Sequence, residues 1–500
     1  MQRISGVVLL AASIAITSAG LVIPPGSMAS PTAPPKPSPT VPSSGVAYTI
    51  IAPRDVSPSG LVTRIILPAD AECPTLVTES AAGGQVETAM AVRPAPRNTR
   101  SAFTGAVLCQ ALVPEGAVGQ GTIVPKGQAA AKVPAAYPEN IDKIAIFGDS
   151  GCGKSGRQNC FKARTWPLSN FATWAAENEA DVLLHVGDYY YLDQACPKKF
   201  LKNCKGAPAP VKGAPFYDSI AGWMFQFFSM AKPLMSSVPI VAARGNMELC
   251  NLAGNGYFWL LDPGVDSANT CSPKGWGASG RVPLHVDDPY AVGFTLANGE
   301  TLNVVVVDSS YVSLRAVTAL TTRYRAVFED AAALAGSGAS QNWMVTQQPI
   351  FGFEKAESAA KKDQAKTNWV ETFYTVASYG KLANFDAILD GHIHTAQVVQ
   401  IPGAPATLTV GSTGHTGARR GWTVPEVGPL MLPGSNKPQF PTIGGYPKAS
   451  FMWNEVVHAY AFATLQGSKT WKVDYFGGNK RVLNTCTLAE SVVSCSKKSN

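Results

Sequence analysis

The chain has 500 residues, of which 46% are hydrophobic and 15% charged, and its formal net charge is +7. That length exceeds one simple core and implies two or three domains, and the apolar content excludes a disordered chain. The positive charge is spread thinly with no Lys/Arg run, which argues against a nucleic-acid-binding protein and suits an anionic substrate.

Residues 1–29 read as a secretory signal peptide: Arg3 supplies a positive end, Val7–Ile16 is mostly apolar, and small residues follow at Ser18-Ala19-Gly20 and Met28-Ala29-Ser30. Apolar residues recur as far as Ile23, so an uncleaved N-terminal anchor is the alternative. No later segment is apolar enough to span a bilayer, and the expected location is secreted or extracytoplasmic. Residues 30–46 are a Pro-rich linker, too poor in apolar side chains to form a core.

From 47 to 138, short apolar runs such as Tyr48–Ile51, Leu61–Leu67 and Ala106–Leu112 are separated by Pro and Gly without a sustained helical period. They predict a small all-β domain, sandwich-like in form. From 139 to 500 the pattern changes. Apolar runs at Ile144–Phe147, Val182–Val186, Pro239–Ala243, Leu302–Val307, Trp343–Val345, Ala387–Leu389 and Thr407–Val410 end abruptly in polar residues. Thr165–Glu179 and Lys366–Leu382 read as helices between them, so the larger domain is α/β, with strand-like segments returning at Tyr460–Thr464 and Thr470–Tyr475.

All ten cysteines lie beyond the leader. In an exported chain an even number favours disulfides, and proximity suggests Cys73–Cys109, Cys152–Cys160, Cys196–Cys204, Cys250–Cys271 and Cys486–Cys495, although spacing alone does not fix connectivity.

Five polar motifs close the apolar runs: Gly148-Asp149-Ser150-Gly151, Gly187-Asp188-Tyr189-Tyr190-Tyr191, Gly245-Asn246-Met247-Glu248, Met344-Val345-Thr346-Gln347 and Gly391-His392-Ile393-His394. A carboxylate beside apolar strands is costly unless it has a partner, and several oxygen and nitrogen donors converging from strand ends point to a metal site. Taken singly, each motif has a plainer reading: Gly-Asp as a turn or cap, the tyrosines as packing, Asn246 as a turn residue. Their order and strand context make the joint reading.

The five motifs resemble those of the purple acid phosphatase-like branch of the calcineurin-like metallophosphoesterases, patterned GDxG, GDxxY, GNH(D/E), VxxH and GHxH. The resemblance covers about residues 141–420 and implies a four-layer αββα sandwich, here preceded by the small β domain. It implies two metal ions about 3.5–4 Å apart, with a hydroxide between them that attacks a phosphate ester. Asp149, Asp188, Tyr191 and His394 would hold the first ion, with iron expected beside the tyrosine. Asp188 would bridge to a second ion (Mn, Zn, Mg or Fe), held also by Asn246, His392 and the fourth-motif residue. The implied partner is a phosphorylated small molecule or another phosphoester substrate.

Two positions depart from the pattern. Met247 stands where the family has a histidine that protonates the leaving group, and a thioether donates no proton. Gln347 stands where the family has a metal-binding histidine and offers only a neutral amide. The expectation is an impaired phosphoesterase; the alternative is a weak or inactive protein that binds a phosphorylated ligand. Glu248 is expected to orient its neighbours. His185 reads as a core histidine, His415 as a candidate at the rim of the site, and Arg244 equally as a phosphate contact or a packing residue.

Overall fold

In this computed structural model the described residues are 36–497, apart from 37, 97–99, 154–157, 193–195, 197, 205, 209–217, 266–270, 272–284, 313–317, 337, 353, 356–364, 367–381 and 416–450. The leader and most of the helix expected over Lys366–Leu382 lie outside them. At the near end of that segment, Ala365–Lys366 is a short strand paired with Glu354–Lys355.

Two large sheets carry the fold. The first has eleven strands, and at its centre Lys143–Phe147, Val182–His185 and Ile240–Ala242 run parallel. The second has seven, with Thr301–Val307, Gln341–Thr346, Ala387–Asp390 and Ala406–Val410 parallel at its centre. These strands are near-continuous apolar runs because both of their faces are covered.

Alternation along each strand sorts its side chains into layers. Ile144, Ile146, Val182, Leu184 and Val241 of the first sheet share one core with Val304, Val306, Trp343, Val345, Leu389 and Leu408 of the second. Trp343 and Trp471 meet across this interior with ring centroids 5.0 Å apart, and the Trp471 indole donates to Gln341. The opposite face of the first sheet, with Ala145, Phe147, Leu183 and Ile240, packs on Leu168, Phe171, Phe227, Leu234 and Phe258 from helical segments. Val305, Val307, Met344 and Ile388 of the second sheet pack on Tyr324, Val327, Phe328 and Ala331 of helix Thr318–Ala335. The result is the four-layer αββα arrangement.

Helix Leu168–Glu177 forms within the span read as helical. The helical run from Ile220 to Met235, with one π turn at Met224–Phe228, is apolar on nearly all sides. Burial all round erases the period that marks a half-exposed helix.

The region from Val46 to Pro134 is built of strands, with one helical turn at Arg100–Phe103. Only Thr75–Ser80, Gln85–Ala89, Ala117–Val124 and Ala131–Pro134 form a sheet of their own. Val46–Ile51, Leu61–Pro68, Ala106–Leu112 and Ala91–Arg93 extend the first large sheet, joined where Ile50 pairs with Ile240. The five disulfides are those suggested by proximity: Cys73–Cys109, Cys152–Cys160, Cys196–Cys204, Cys250–Cys271 and Cys486–Cys495. Among the described residues no helix is long and apolar enough to cross a membrane.

Candidate metal centre

The polar motifs all follow the carboxyl ends of parallel strands, where open α/β sheets place their ligands. Asp149 and Asp188 follow Lys143–Phe147 and Val182–His185, and Asn246 follows Ile240–Ala242. Gln347 follows Gln341–Thr346, and His392 and His394 follow Ala387–Asp390. Both sheets therefore deliver side chains to one place.

The backbone is forced there. Asp149, Asp188, His392 and His394 have φ of 51°, 58°, 67° and 49°, in the left-handed region that non-glycine residues avoid. Such conformations cost on the order of 1–3 kcal/mol each and persist only where the surroundings fix them. Cross-links between motifs do so: Asp149 N donates to Gly187 O, Ser150 N to Asp188 O, and Gly391 N to Gln347 O. His392 N donates to Asp149 Oδ2 at 2.8 Å. Gly245 must lack a side chain, because a Cβ there would lie 2.1 Å from Asp188 Oδ1.

Glu248 anchors two of the loops. Fully buried, its carboxylate accepts from the backbone N–H groups of Asp188, Tyr189, Tyr190 and Gly245 at 2.9–3.2 Å. Burial, and then the nearby Asp188, push its pKa up.

The donor atoms crowd around one phenol. Tyr191 Oη lies 2.7 Å from Asp149 Oδ1, 2.9 Å from Asp188 Oδ2 and 3.0 Å from His394 Nε2. His394 Nε2 is itself 3.2 Å from Asp149 Oδ1. Ligand atoms of Asp149, Asp188 and His394 all fall within 4.8 Å of one another. Burial raises the pKa of Asp188, with the charge of Asp149 adding to the effect, and burial likewise raises that of Tyr191. A phenol has one proton and satisfies one acceptor at a time. A cation satisfies all four atoms together, and a set of two carboxylates, a phenol oxygen and an imidazole suits a hard or borderline ion. The residues present therefore fit the first ion.

The other expected ligands stand beside this group. Asp188 Oδ2 is 3.0 Å from Gln347 Nε2, which is 3.2 Å from His392 Nδ1, and that nitrogen is 2.8 Å from Asn246 Oδ1. Met247 contributes its backbone, donating to Asp188 Oδ1 at 2.8 Å.

His185 is buried, bonds Ser150 Oγ at 2.9 Å and stacks on Tyr189, and burial holds its pKa well below the usual value. Arg244 is committed to Asp308 at 3.1 Å and to the carbonyls of Glu248 and His285, with its guanidinium over Phe258. It braces the third motif and is buried away from solvent. His415 does reach the site: its ring lies 4.2 Å from that of Tyr191 and 4.1 Å from that of His394. Its backbone N donates to Asp149 O. Gln226 carries no sequence motif, yet its Oε1 accepts from Cys152 N and Tyr191 N, holding the first two motifs. A lone amide within Met224-Phe-Gln-Phe-Phe was the only sequence signal for it.

No protein-family model matches the chain, and neither does any curated protein sequence. Solved structures do match. A purple acid phosphatase isolated from yellow lupin (Lupinus luteus) seeds is similar at TM-score 0.52 and 10% identity, over 90% of this chain and 75% of that one. The structure of PhoD is similar at TM-score 0.54 and 11% identity, over 92% of this chain and 93% of its own. At such identities the likeness concerns the fold. With two facing sheets and motifs at the parallel strand ends, the chain has the calcineurin-like metallophosphoesterase fold that its sequence motifs resemble.

Proposed function

We propose that the protein is an exported, metal-dependent phosphoesterase whose catalysis is weakened at two positions. The observation that carries this reading is the convergence of two carboxylates, a phenol and an imidazole from Asp149, Asp188, Tyr191 and His394 on one buried point. A cation bound there neutralises charge on a phosphoryl group and acidifies a water at neutral pH. The chain's own part is placement: Glu248 and Gln226 fix the loops, and the two sheets hold the ligands in register. Iron in the first position is the expectation from the tyrosine. Export is supported by the leader and by five disulfides, which persist in oxidising compartments.

Met247 favours a second reading, a protein that binds a phosphorylated ligand with little turnover. Loss of a positioned proton donor typically lowers rates by about 10²–10⁴-fold.

The test is hydrolysis of an aryl phosphate monoester and an aryl diester by the full chain, with and without prior chelation. Turnover that chelation abolishes, that metal restores, and that His394→Ala lacks is the expected result. Tight ligand binding without turnover supports the second reading. Hydrolysis indifferent to chelation contradicts both.

A further inference from the structure

We infer that two disulfide-closed loops beside the metal centre form a docking surface for an anionic lipid bilayer. Binding of this kind does not require turnover at the centre.

The loops continue the first two motifs. One follows Asp149-Ser150-Gly151, is closed by Cys152–Cys160 and runs on to Trp166; the other follows Tyr191 and is closed by Cys196–Cys204. Both leave the first sheet at the carboxyl ends of its parallel strands, the end at which the candidate ligands gather. They lie side by side: Cys160 N donates to Asn203 O at 3.0 Å, and the Asn159 side-chain amide donates to Lys202 O at 3.4 Å. The first loop is also braced against the centre. The Trp166 indole donates to Ser150 O, Gln158 Nε2 donates to Gly414 O, and there is no room for a side chain between Gly153 and the His415 ring.

Positive charge and apolar surface coincide on these loops. Their described residues within 158–166 and 196–208 include Lys162, Arg164, Lys198, Lys199 and Lys202, all exposed, and no Asp or Glu. The whole chain has a net charge of only +7, so the fold concentrates here what the sequence spreads thinly. Phe161 and Leu201 stand on the same loops, 43% and 47% exposed. Phe161 is held from behind by Phe225, with ring centroids 5.7 Å apart, and presents the rest of its surface to water. Among the described residues, the other exposed large apolar side chains all lie on strands.

A soluble polyanion would use the cations and leave Phe161 and Leu201 in water. An anionic bilayer uses both. Its surface potential attracts Lys and Arg, each strengthening binding about fivefold, and its headgroup boundary accepts the apolar tips. The disulfides and the bracing contacts hold the tips in place before contact, which limits the ordering cost of binding. A chain docked in this way turns the metal centre, at the same end of the sheet, towards phosphoesters borne at the bilayer surface.

The experiment is co-sedimentation of the oxidised full chain with vesicles of phosphatidylcholine alone and of phosphatidylcholine mixed with phosphatidylglycerol. The wild type is expected to sediment with the mixed vesicles and to stay in solution with the neutral ones. Lys198→Gln, Lys199→Gln and Lys202→Gln together are expected to lower the affinity at least roughly tenfold, well below the product of three such losses. Leu201→Ser is expected to lower it as well, while leaving binding of soluble inorganic polyphosphate unchanged. Thermal melts show whether each variant is folded, and Lys162→Gln with Arg164→Gln on the other loop replaces the triple variant if that does not fold. Equal partition onto both vesicles overturns the proposal, since the apolar leader would bind them alike. Unchanged affinity in the folded lysine variant also overturns it. So does a folded Leu201→Ser that binds the mixed vesicles as the wild type does, which would assign the surface to soluble polyanions.

Discussion

At position 247, the carbon-and-sulfur side chain of a methionine accompanies an intact backbone: its N–H still holds Asp188 Oδ1 at 2.8 Å. The loop keeps the motif's backbone arrangement, and the residue that stands at the resembled motif's histidine position has a side chain that donates no proton. Position 347 is the counterpart on the second sheet, with a neutral amide beside Asp188 and His392. If these two residues limit turnover, Met247→His combined with Gln347→His raises hydrolysis of an aryl phosphate at least roughly tenfold, below the low end of general-acid effects. Initial rates measured together with metal content check this; unchanged turnover in a folded, metal-loaded double variant refutes it. Both departures were legible in the sequence, because each falls inside a recognisable motif. The contacts of Gln226 and the rings packed around His415 were not, because they arise from tertiary packing and carry no local signature.

Among the elements, the short helix Gly254–Leu260 shows how the third motif is held. At its start, Asp218 accepts from Gly256 N at 3.1 Å and from the Trp223 indole at 2.9 Å. At its end, Arg64, Arg93 and Tyr48 donate to the carbonyls of Leu260 and Phe258, placing positive charge at the helix carboxyl terminus. These arginines come from N-terminal strands that the sequence assigned to a separate sandwich. The strands themselves were legible as apolar runs, but the pairing of Ile50 with Ile240 spans 190 residues of chain, and no local pattern encodes it. Burial holds the Asp218 carboxyl at about 7, against opposing hydrogen bonds from Trp223 and Gly256. The unfolded chain releases that proton near the ordinary carboxylate value of about 4, so folding stability falls as pH rises from about 4 to about 7. Three pH units correspond to at most about 4 kcal/mol. Denaturant titrations across that range are expected to give a shallower loss of stability for Asp218→Asn than for the wild type. Equal slopes would show that Asp218 is ionised in the folded protein.

Considered as a whole molecule, the protein joins two sheets through an apolar interior and, at one end, through the cluster of candidate metal ligands. Asp149, Asp188 and Tyr191 come from the first sheet and His394 from the second. Without a cation, burial and the mutual repulsion of the Asp149 and Asp188 carboxylates oppose ionisation of this group. A cation that binds only this folded arrangement stabilises it by mass action, by about 2.7 kcal/mol at a concentration one hundred times its dissociation constant. The disulfides cannot replace this link, because each closes a short segment, the longest spanning 36 residues from Cys73 to Cys109. Thermal melts of the oxidised full chain should therefore shift upward on metal loading and return on chelation. His394→Ala should melt at one temperature with or without metal, because it removes the ligand contributed by the second sheet. A wild-type midpoint indifferent to metal would mean that the sheets are held by their apolar interior alone, and that the crowded acceptors around Tyr191 are resolved by protonation of Asp188, whose pKa burial already raises.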